Sequence, residues 1–299
     1  MSKYEFMNQV ENSLKNCPAL EGAWVEGNVY YRNNDTECLG VSIRRGDALI
    51  SPVFYLDRFY DAYCRKKMTL DEVVSTIIDH FRTVSEDCRR KASEVSLEYE
   101  TCRECITYRL ISAEKNARFL SYLPHIPFLD MAIIFTIVLK IDESGLESIR
   151  VTNDLMESWK VKVEDLMALA KVNTPRIFPV KVETMGNVMK RFLGLDEEML
   201  QMVDLDSPML LLSNMHETYG ATTLIYDDQP SKIGELLEDD YYVIPSSVHE
   251  VLILPASEVG DPSTINPMIQ EINEEHLENV DVLSDRAYLY KRSDNRFYF

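Results

Sequence analysis

The spacing of apolar residues in the first ninety positions constrains the fold of this chain most strongly. Apolar side chains recur at helical spacing from residue 70 to 84, directly after a capping box formed by Thr69 and Glu72. Before this helix, turn residues separate three strand-like stretches, which are Trp24–Tyr31, Leu39–Arg44 and Leu49–Leu56. The pattern predicts an antiparallel meander followed by a long amphipathic helix.

Strands and helices continue to alternate in the rest of the chain. Met131–Leu139 is apolar on both faces, which predicts deep burial but leaves helix and strand both open. Further strands are predicted over residues 106–111, 209–212, 221–226, 241–244 and 248–254, with a closing hairpin over 288–291 and 296–299. The sequence therefore predicts an α+β fold, with antiparallel or mixed sheets in both halves covered by helices.

The charge of the chain is large, negative and unevenly distributed. The formal net charge is −19; residues 1–140 contribute 18 − 20 = −2, and residues 141–299 contribute 13 − 30 = −17. This shift suggests a near-neutral N-terminal domain (1–140) and an acidic C-terminal domain (141–299), although the chain could also form one continuous unit. An acidic surface repels nucleic acid and anionic membranes, so we expect neither to bind directly.

Composition excludes several common classes of site. Glycine is scarce, at 10 residues, and neither GxGxxG nor GK[ST] occurs, so a phosphate-binding loop is not expected. The N-terminus lacks the apolar stretch of a signal peptide, and the longest apolar run is too short to span a bilayer. Most cysteines are isolated, as is typical of reduced proteins. We therefore expect a cytoplasmic protein without cofactor or metal.

The most unusual polar residues lie in an otherwise apolar stretch, VHEVLILP. His249 and Glu250 are predicted on opposite faces of a strand whose faces both look apolar, so one or both should be poorly hydrated. Such groups are either satisfied within the fold or belong to a binding or catalytic site. No catalytic residue is assigned, because GxSxG and HExxH are both missing. The predicted binding residues are Asn214, His216, Ser246, Ser247, His249 and Glu250.

Cys102 and Cys105 form a CxxC pair. A structural zinc site needs four ligands, and no second CxxC pair occurs. A thioredoxin-like pair would sit at a strand-to-helix turn, whereas this pair precedes a predicted strand. We interpret both residues as ordinary thiols, with a redox or metal role as the alternative.

Six stretches spread along the chain resemble a family of uncharacterised bacterial proteins, domain of unknown function number 5688. They are ISPVFYLDRFYDAY, PHIPFLDMAIIF, NTPRIFPVKVETM, PMLLLSNMHETYGATTLIY, YYVIPSSVHEVLILP and VLSDRAYLY. The resemblance implies a bacterial cytosolic protein. It implies no activity, because the family has no assigned catalytic residues to carry over.

Three functional hypotheses follow. The first is a non-enzymatic interaction or regulatory protein whose acidic C-terminal half docks a basic partner. The second is a hydrolase-like enzyme built around His249, Glu250 and Asn214, which requires these groups to converge in one cleft. The third is a DNA-mimicking inhibitor whose carboxylates stand in for phosphates.

Overall fold

The chain divides into two compact units. The computed structural model describes residues 1–46, 52–94, 97–142, 145–193 and 208–299, and for residues 84–94 and 192–193 it describes the backbone alone. The first unit comprises Met1–Arg32 and Thr36–Leu97. The second comprises Asn33–Asp35 and Glu98–Phe299.

The first unit is a three-stranded antiparallel sheet, in the order β1-β2-β3, with helices packed against it. Its elements are α1 (Lys3–Lys15), β1 (Ala23–Arg32), β2 (Thr36–Arg45), β3 (Val53–Tyr55), α2 (Asp57–Cys64) and α3 (Leu70–Glu94). α1 begins with a capping box, in which the Ser2 hydroxyl accepts from the Glu5 N–H at 3.2 Å and the Glu5 carboxylate accepts from the Ser2 N–H at 2.7 Å. Apolar residues of α1, α3 and the sheet form its core.

The second unit begins with a four-stranded antiparallel sheet. Its strands are β4 (Ile106–Ser112), β5 (His125–Phe128), β6 (Met131–Asp142) and β7 (Gly145–Arg150). β6 pairs with each of the other three strands, and its residues 131–138 are all buried. A strand that is paired at both edges and buried on both faces is expected to be mainly apolar, as residues 131–138 are apart from Thr136.

A six-stranded antiparallel sheet completes the second unit, in the order β13-β12-β10-β11-β9-β8. Its strands are β8 (Val180–Thr184), β9 (Leu210–Asn214), β10 (Tyr241–Pro245), β11 (Val251–Pro255), β12 (Tyr288–Lys291) and β13 (Arg296–Tyr298). The helices of this unit are α4 (Tyr99–Cys102), α5 (Ala117–Leu120), α6 (Asn153–Trp159), α7 (Val163–Ile177), α8 (Met185–Leu193), α9 (Gln229–Leu237) and α10 (Ile265–His276). One apolar core joins residues from both sheets and α7.

The predicted α+β class is confirmed, as are the meander, the helix from residue 70 and the closing hairpin. Residues 49–51 of the third predicted strand lie outside the described part of the chain. The strand predicted over 221–226 is wrong, because Gly220–Ile225 forms a 3₁₀ segment. The charge-based boundary near residue 140 falls within β6, whereas the compact units divide at residue 97. The distribution of charge along the sequence does not indicate where few contacts join one part of the backbone to another.

Candidate functional site

The predicted binding residues lie on two connections of the six-stranded sheet. Asn214 ends β9 and begins the loop that leads to the 3₁₀ segment, and residues 246–250 connect β10 to β11. The prediction that His249 and Glu250 lie inside a strand is wrong, because β11 begins at Val251. The Ser247 hydroxyl accepts from the His249 N–H at 3.0 Å, and the Ser247 N–H donates to the Glu250 carbonyl at 3.1 Å. These local bonds form a turn instead of continuing the ladder.

The two connections contact each other closely. The Ser213 hydroxyl donates to the His249 carbonyl at 2.8 Å, and the Ala221 N–H donates to the Val248 carbonyl at 3.3 Å. Gly220 lies between them, where a Cβ atom would come within 2.1 Å of the Ser213 hydroxyl and 2.4 Å of the His249 carbonyl. A glycine is therefore required for this approach.

Asn214 shapes its own loop. Its side chain is buried, with 1% of the residue surface exposed. The amide oxygen accepts from the His216 N–H at 2.9 Å, and the amide nitrogen donates to the Thr218 carbonyl at 2.8 Å. His216 itself is exposed, with its ring edge-on to Phe178 at 5.8 Å. Asn214 thus acts as a structural Asx-turn residue, and the His216 ring does not join the other predicted side chains.

His249 is held on both ring nitrogens. Its Nδ1 accepts from the Tyr219 N–H at 3.3 Å, which leaves the proton of the neutral ring on Nε2, 3.3 Å from an Asp281 carboxylate oxygen. The ring also lies over Tyr219, with centroids 5.6 Å apart. His249 therefore links Tyr219 to Asp281, and neither nitrogen is left to act as a general base.

Glu250 is partly buried beside a charged network. Burial raises the pKa of its carboxyl, as does the Glu217 charge, while His249, Ser246 and Arg191 oppose the rise. Lys181 lies 2.7 Å from Glu217, and Arg191 also pairs with Glu217. These two cations lower the pKa of the Glu217 carboxyl. The network connects the loop after β9 with β8 and α8.

The second hypothesis, a hydrolase-like enzyme, requires His249, Glu250 and Asn214 to converge in one cleft, and any serine nucleophile would also need an adjacent imidazole nitrogen. Among the described residues, neither Ser246 nor Ser247 hydrogen-bonds the His249 ring. The Ser247 hydroxyl is instead engaged with the His249 backbone. These two serines are therefore not paired with the His249 ring.

Sequence reasoning missed three residues of this region, namely Arg109, Tyr219 and Asp281. The Arg109 guanidinium lies 4.0 Å from the centre of the Tyr219 ring, whose other neighbour is His249. A cation in the middle of the strand ITYRLIS is the one signal that could have pointed to this group. The sequence around Tyr219 and Asp281 has no comparable unusual feature, because these residues come close to His249 only in the folded chain.

The negative charge of the chain is concentrated in residues 233–285, which we call the acidic segment. It contains 13 carboxylates and no Lys or Arg, and so contributes −13 of the net −19. These residues are Glu235, Glu238, Asp239, Asp240, Glu250, Glu258, Asp261, Glu271, Glu274, Glu275, Glu278, Asp281 and Asp285. Within the described part of the chain, its one ion pair to a lysine or arginine joins Asp285 to Lys115 at 3.4 Å.

The helix α10 presents much of this charge to solvent. Ile265, Ile269 and Asn273 face the interior. The exposed positions include Glu271, Glu274 and Glu275, followed by Glu278 just after the helix. Met268 and Ile272, one turn apart, are also 46% and 43% exposed, so carboxylates surround an apolar stripe on the outer face of α10.

A polar groove of about 480 Å³ adjoins α10. It is lined by Gln270, Asn273, Glu274, Leu277, Asn279, Val282, Asp285 and Lys115. Carboxylates of Glu274 and Asp285 therefore border a space large enough for a side chain of a partner. Such a space suits a lysine or arginine.

The CxxC pair is part of a helical turn that leads into β4. Cys102 ends α4 and is buried, and Cys105 is half-buried. Burial raises the pKa of the Cys102 thiol, and the nearby Cys105 raises it further. Reactive thiols usually have a lowered pKa, so this environment favours the interpretation as ordinary thiols.

Over the residues that the structure describes, the chain is an α+β protein with three antiparallel sheets, two hydrogen-bonded loops and a concentration of carboxylates in the acidic segment. The chain belongs to the family described as Family of unknown function (DUF5688), whose model matches residues 3–292. The resemblance identified from the sequence is thus confirmed. Comparison with curated proteins and with solved structures gave no significant match. In the described part of the chain, no helix is both long and apolar enough to cross a membrane.

Proposed function

We propose that this chain is a non-enzymatic, cytoplasmic interaction protein that docks a basic protein partner through its acidic C-terminal half. The observation that carries the proposal is the acidic segment, with 13 carboxylates, no lysine or arginine, and a single ion pair to such a residue among the described residues. Uncompensated surface carboxylates create a negative potential that attracts and orients a cationic surface.

The carboxylates on α10 support the proposal because, without a partner, they destabilise the helix that carries them. Glu271 and Glu275 are four residues apart, and like charges at this spacing destabilise a helix by about 0.2–0.5 kcal/mol. Glu274 and Glu275 also lie in the last turn, where the helix dipole disfavours negative charge. A cationic partner would relieve both effects. The apolar stripe of Met268 and Ile272 adds a contact that a basic amphipathic segment would cover.

The test combines affinity purification from the native host with a localised variant. We expect a stoichiometric partner with a basic surface, whose binding weakens steeply as salt is raised. The quadruple variant Glu271→Gln, Glu274→Gln, Glu275→Gln, Glu278→Gln should lose the purified partner. The control Glu21→Gln, Glu26→Gln, Asp61→Asn, Asp71→Asn removes the same number of exposed carboxylates from the first unit and should retain it.

Binding that is insensitive to salt, or equal loss in both variants, would contradict docking at the acidic segment. Repeated purification without any stoichiometric partner would contradict the interaction function as a whole. Titration of the purified partner against each variant by calorimetry separates these two results.

A further inference from the structure

A groove of about 550 Å³ opens on the surface of the second unit, outside the acidic segment. Residues of β5, α7 and β13 line it, together with the turn that leads into α9. None of the lining residues lies between positions 233 and 285. Sites for small organic ligands usually measure about 300–1,000 Å³, so this groove has room for such a ligand.

The floor of the groove is mainly apolar. Phe128 and Phe297 meet edge to face, with ring centroids 5.9 Å apart, and both rings are only partly buried. Met167, on α7, is also partly buried and adds an adaptable side chain. Because covering these groups removes apolar surface from water, the floor favours a ligand with apolar side chains.

The backbone of the groove wall is strained at Leu129. This residue lies in the two-residue turn between β5 and β6 and has φ 55°, a position where glycine is usual. The leucine side chain packs against the core and forms part of the wall. Asp228 and Asn295, which also line the groove, have φ values of 65° and 52°. Backbone of this kind is concentrated at turns and ligand sites.

Four charged side chains border the apolar floor. The Lys171 ammonium and the Asp227 carboxylate form an ion pair at 2.8 Å, so their charges offset each other. In the described part of the chain, the Asp228 carboxylate and the Arg296 guanidinium have neither an ion pair nor a side-chain hydrogen bond. The groove therefore presents one unpaired charge of each sign.

Asp228 is the residue that precedes α9, but its side chain does not cap the helix. An aspartate at this position usually accepts a hydrogen bond from an N–H group of the first turn. Its left-handed backbone, with φ 65°, accompanies the missing cap. The carboxylate is thus available to a cationic group of a ligand.

Asn295 supplies an oriented donor next to Arg296 in sequence. Its amide oxygen accepts from the Tyr290 hydroxyl at 2.6 Å and from the Ser231 hydroxyl at 3.1 Å. Its amide nitrogen forms no hydrogen bond to any described residue. The carboxylate of the neighbouring Asp294 is engaged by hydroxyl groups of the same hairpin and does not line the groove. An amide N–H and a guanidinium together suit a carboxylate.

Two edge strands contribute to the groove. β5 pairs only with β6, and β13 pairs only with β12, within the sheets that the structure describes. The outer edge of such a strand has backbone N–H and C=O groups that the sheet does not use. These groups can bond to the amides of an extended ligand, which favours a peptide over other molecules that carry both charges.

We propose that this groove binds a short peptide with apolar side chains and free termini. The terminal ammonium pairs with Asp228, and the terminal carboxylate pairs with Arg296 and the Asn295 amide. The apolar side chains cover Phe128 and Phe297. The groove shares no residue with the acidic segment, so its failure and the failure of the docking function are independent.

The first experiment measures binding of the tripeptide Ala-Leu-Phe to the wild-type protein by isothermal titration calorimetry. We expect saturable binding, which N-acetylation or C-terminal amidation of the peptide should each weaken by about two- to fivefold, the effect of losing one exposed ion pair. The tripeptide Ser-Gly-Ser has the same terminal charges without apolar side chains and should not bind measurably.

Two variants assign the peptide termini to their partners. Asp228→Asn should weaken binding of the free peptide by the same two- to fivefold but leave binding of the acetylated peptide unchanged. Arg296→Gln should weaken binding of the free peptide and leave binding of the amidated peptide unchanged. Glu235→Gln and Arg292→Gln remove the same charges at exposed positions outside the groove, and should not change Kd.

A structure of the wild-type protein crystallised with Ala-Leu-Phe does not depend on any variant. It should show the peptide over Phe297, with its ammonium next to Asp228. A peptide bound elsewhere would overturn the proposal, as would the absence of saturable binding by Leu-Phe, Ala-Leu-Phe and Ala-Ala-Leu-Phe. Equal weakening of the free and acetylated peptides by Asp228→Asn would also contradict it.

Discussion

His249 illustrates how far a single residue can be interpreted before its neighbours are known. Its position in an apolar stretch predicts that His249, Glu250 or both are poorly hydrated, and in the structure 37% of the His249 side chain is exposed. Its partners, the Tyr219 N–H and the Asp281 carboxylate, lie 30 and 32 residues away in sequence. Whether a half-buried histidine acts as a base or has a structural role depends on which groups hydrogen-bond its ring nitrogens. Here both nitrogens are occupied, and the residue stabilises the loop after β9.

Glu250 gives a pH-dependent prediction at the residue scale. Burial raises its folded-state pKa, so the folded protein keeps the proton to a higher pH than the unfolded chain does. The stabilisation by the neutral carboxyl is present at low pH and is lost as the pH rises through the raised pKa. Glu250→Gln stays neutral, so we expect its Tm to exceed that of the wild type by about 1–3 °C at pH 7–8.

The difference should shrink as the pH falls below the ordinary carboxyl pKa of 4.5, where the wild-type carboxyl becomes protonated in both states. Thermal unfolding monitored by circular dichroism between pH 4 and 8 measures it. The exposed Glu258→Gln serves as the control and should show little change. A Glu250→Gln variant that is less stable than the wild type at pH 8 would show that the charged carboxylate makes a net favourable contact with Arg191.

At the scale of elements, the loop after β9 is held mainly by the close approach of its backbone to the backbone of residues 247–250. Gly220 allows the 3₁₀ segment to meet residues 247–250, and the Thr223 hydroxyl donates to the Gly220 carbonyl at 2.7 Å within that segment. The Thr222 hydroxyl meanwhile satisfies a backbone N–H at the edge of β4. The local bond of Thr223 favours a turn over a strand in this stretch, although it is rich in β-branched residues.

Gly220→Ala tests this packing. The added methyl group would lie 2.1 Å from the Ser213 hydroxyl and 2.7 Å from the Asn214 nitrogen, so backbone must move. We expect a loss of about 2–3 kcal/mol in the free energy of unfolding, measured by urea denaturation. Gly260→Ala is the matched control, because a Cβ atom there meets nothing within 4 Å. Equal stability of the two variants would show that the two connections can separate at little cost.

For the whole molecule, the dominant physical property is its negative charge. Self-repulsion among carboxylates destabilises the compact state, and salt screens it. We expect Tm to rise by a few degrees as sodium gluconate is raised from about 0.01 to 0.1 M, which shortens the screening length from roughly 30 to 10 Å.

The quadruple α10 variant tests where this repulsion is concentrated. It changes the net charge from −19 to −19 + 4 = −15, as does the control in the first unit. The α10 variant should have the higher Tm at low salt and the smaller salt dependence, as measured by scanning calorimetry. If Tm depends on salt identically in the two variants, the repulsion is determined by the total charge of the chain and not by the position of the carboxylates.

The sequence by itself determined the class of fold, the family, most strands and helices, and the uneven charge. These follow from periodicity, capping residues and composition, which are local or additive properties of the chain. It also selected residues 214–216 and 246–250, which lie on two connections that contact each other through the Ser213 hydroxyl and the Ala221 N–H. It could not give the roles of those residues, or identify Arg109 and Tyr219 as their neighbours.

Only the tertiary structure decided where the backbone divides into units, which ionisable groups are paired, and where a cation is buried. The division at residue 97 depends on contacts between residues far apart in sequence, and net charge does not record them. The same is true of the pairing of His249 with Asp281 and of the stacking of Arg109 on Tyr219. Hydration and pairing are set by distance in space, which one-dimensional patterns of residues do not specify.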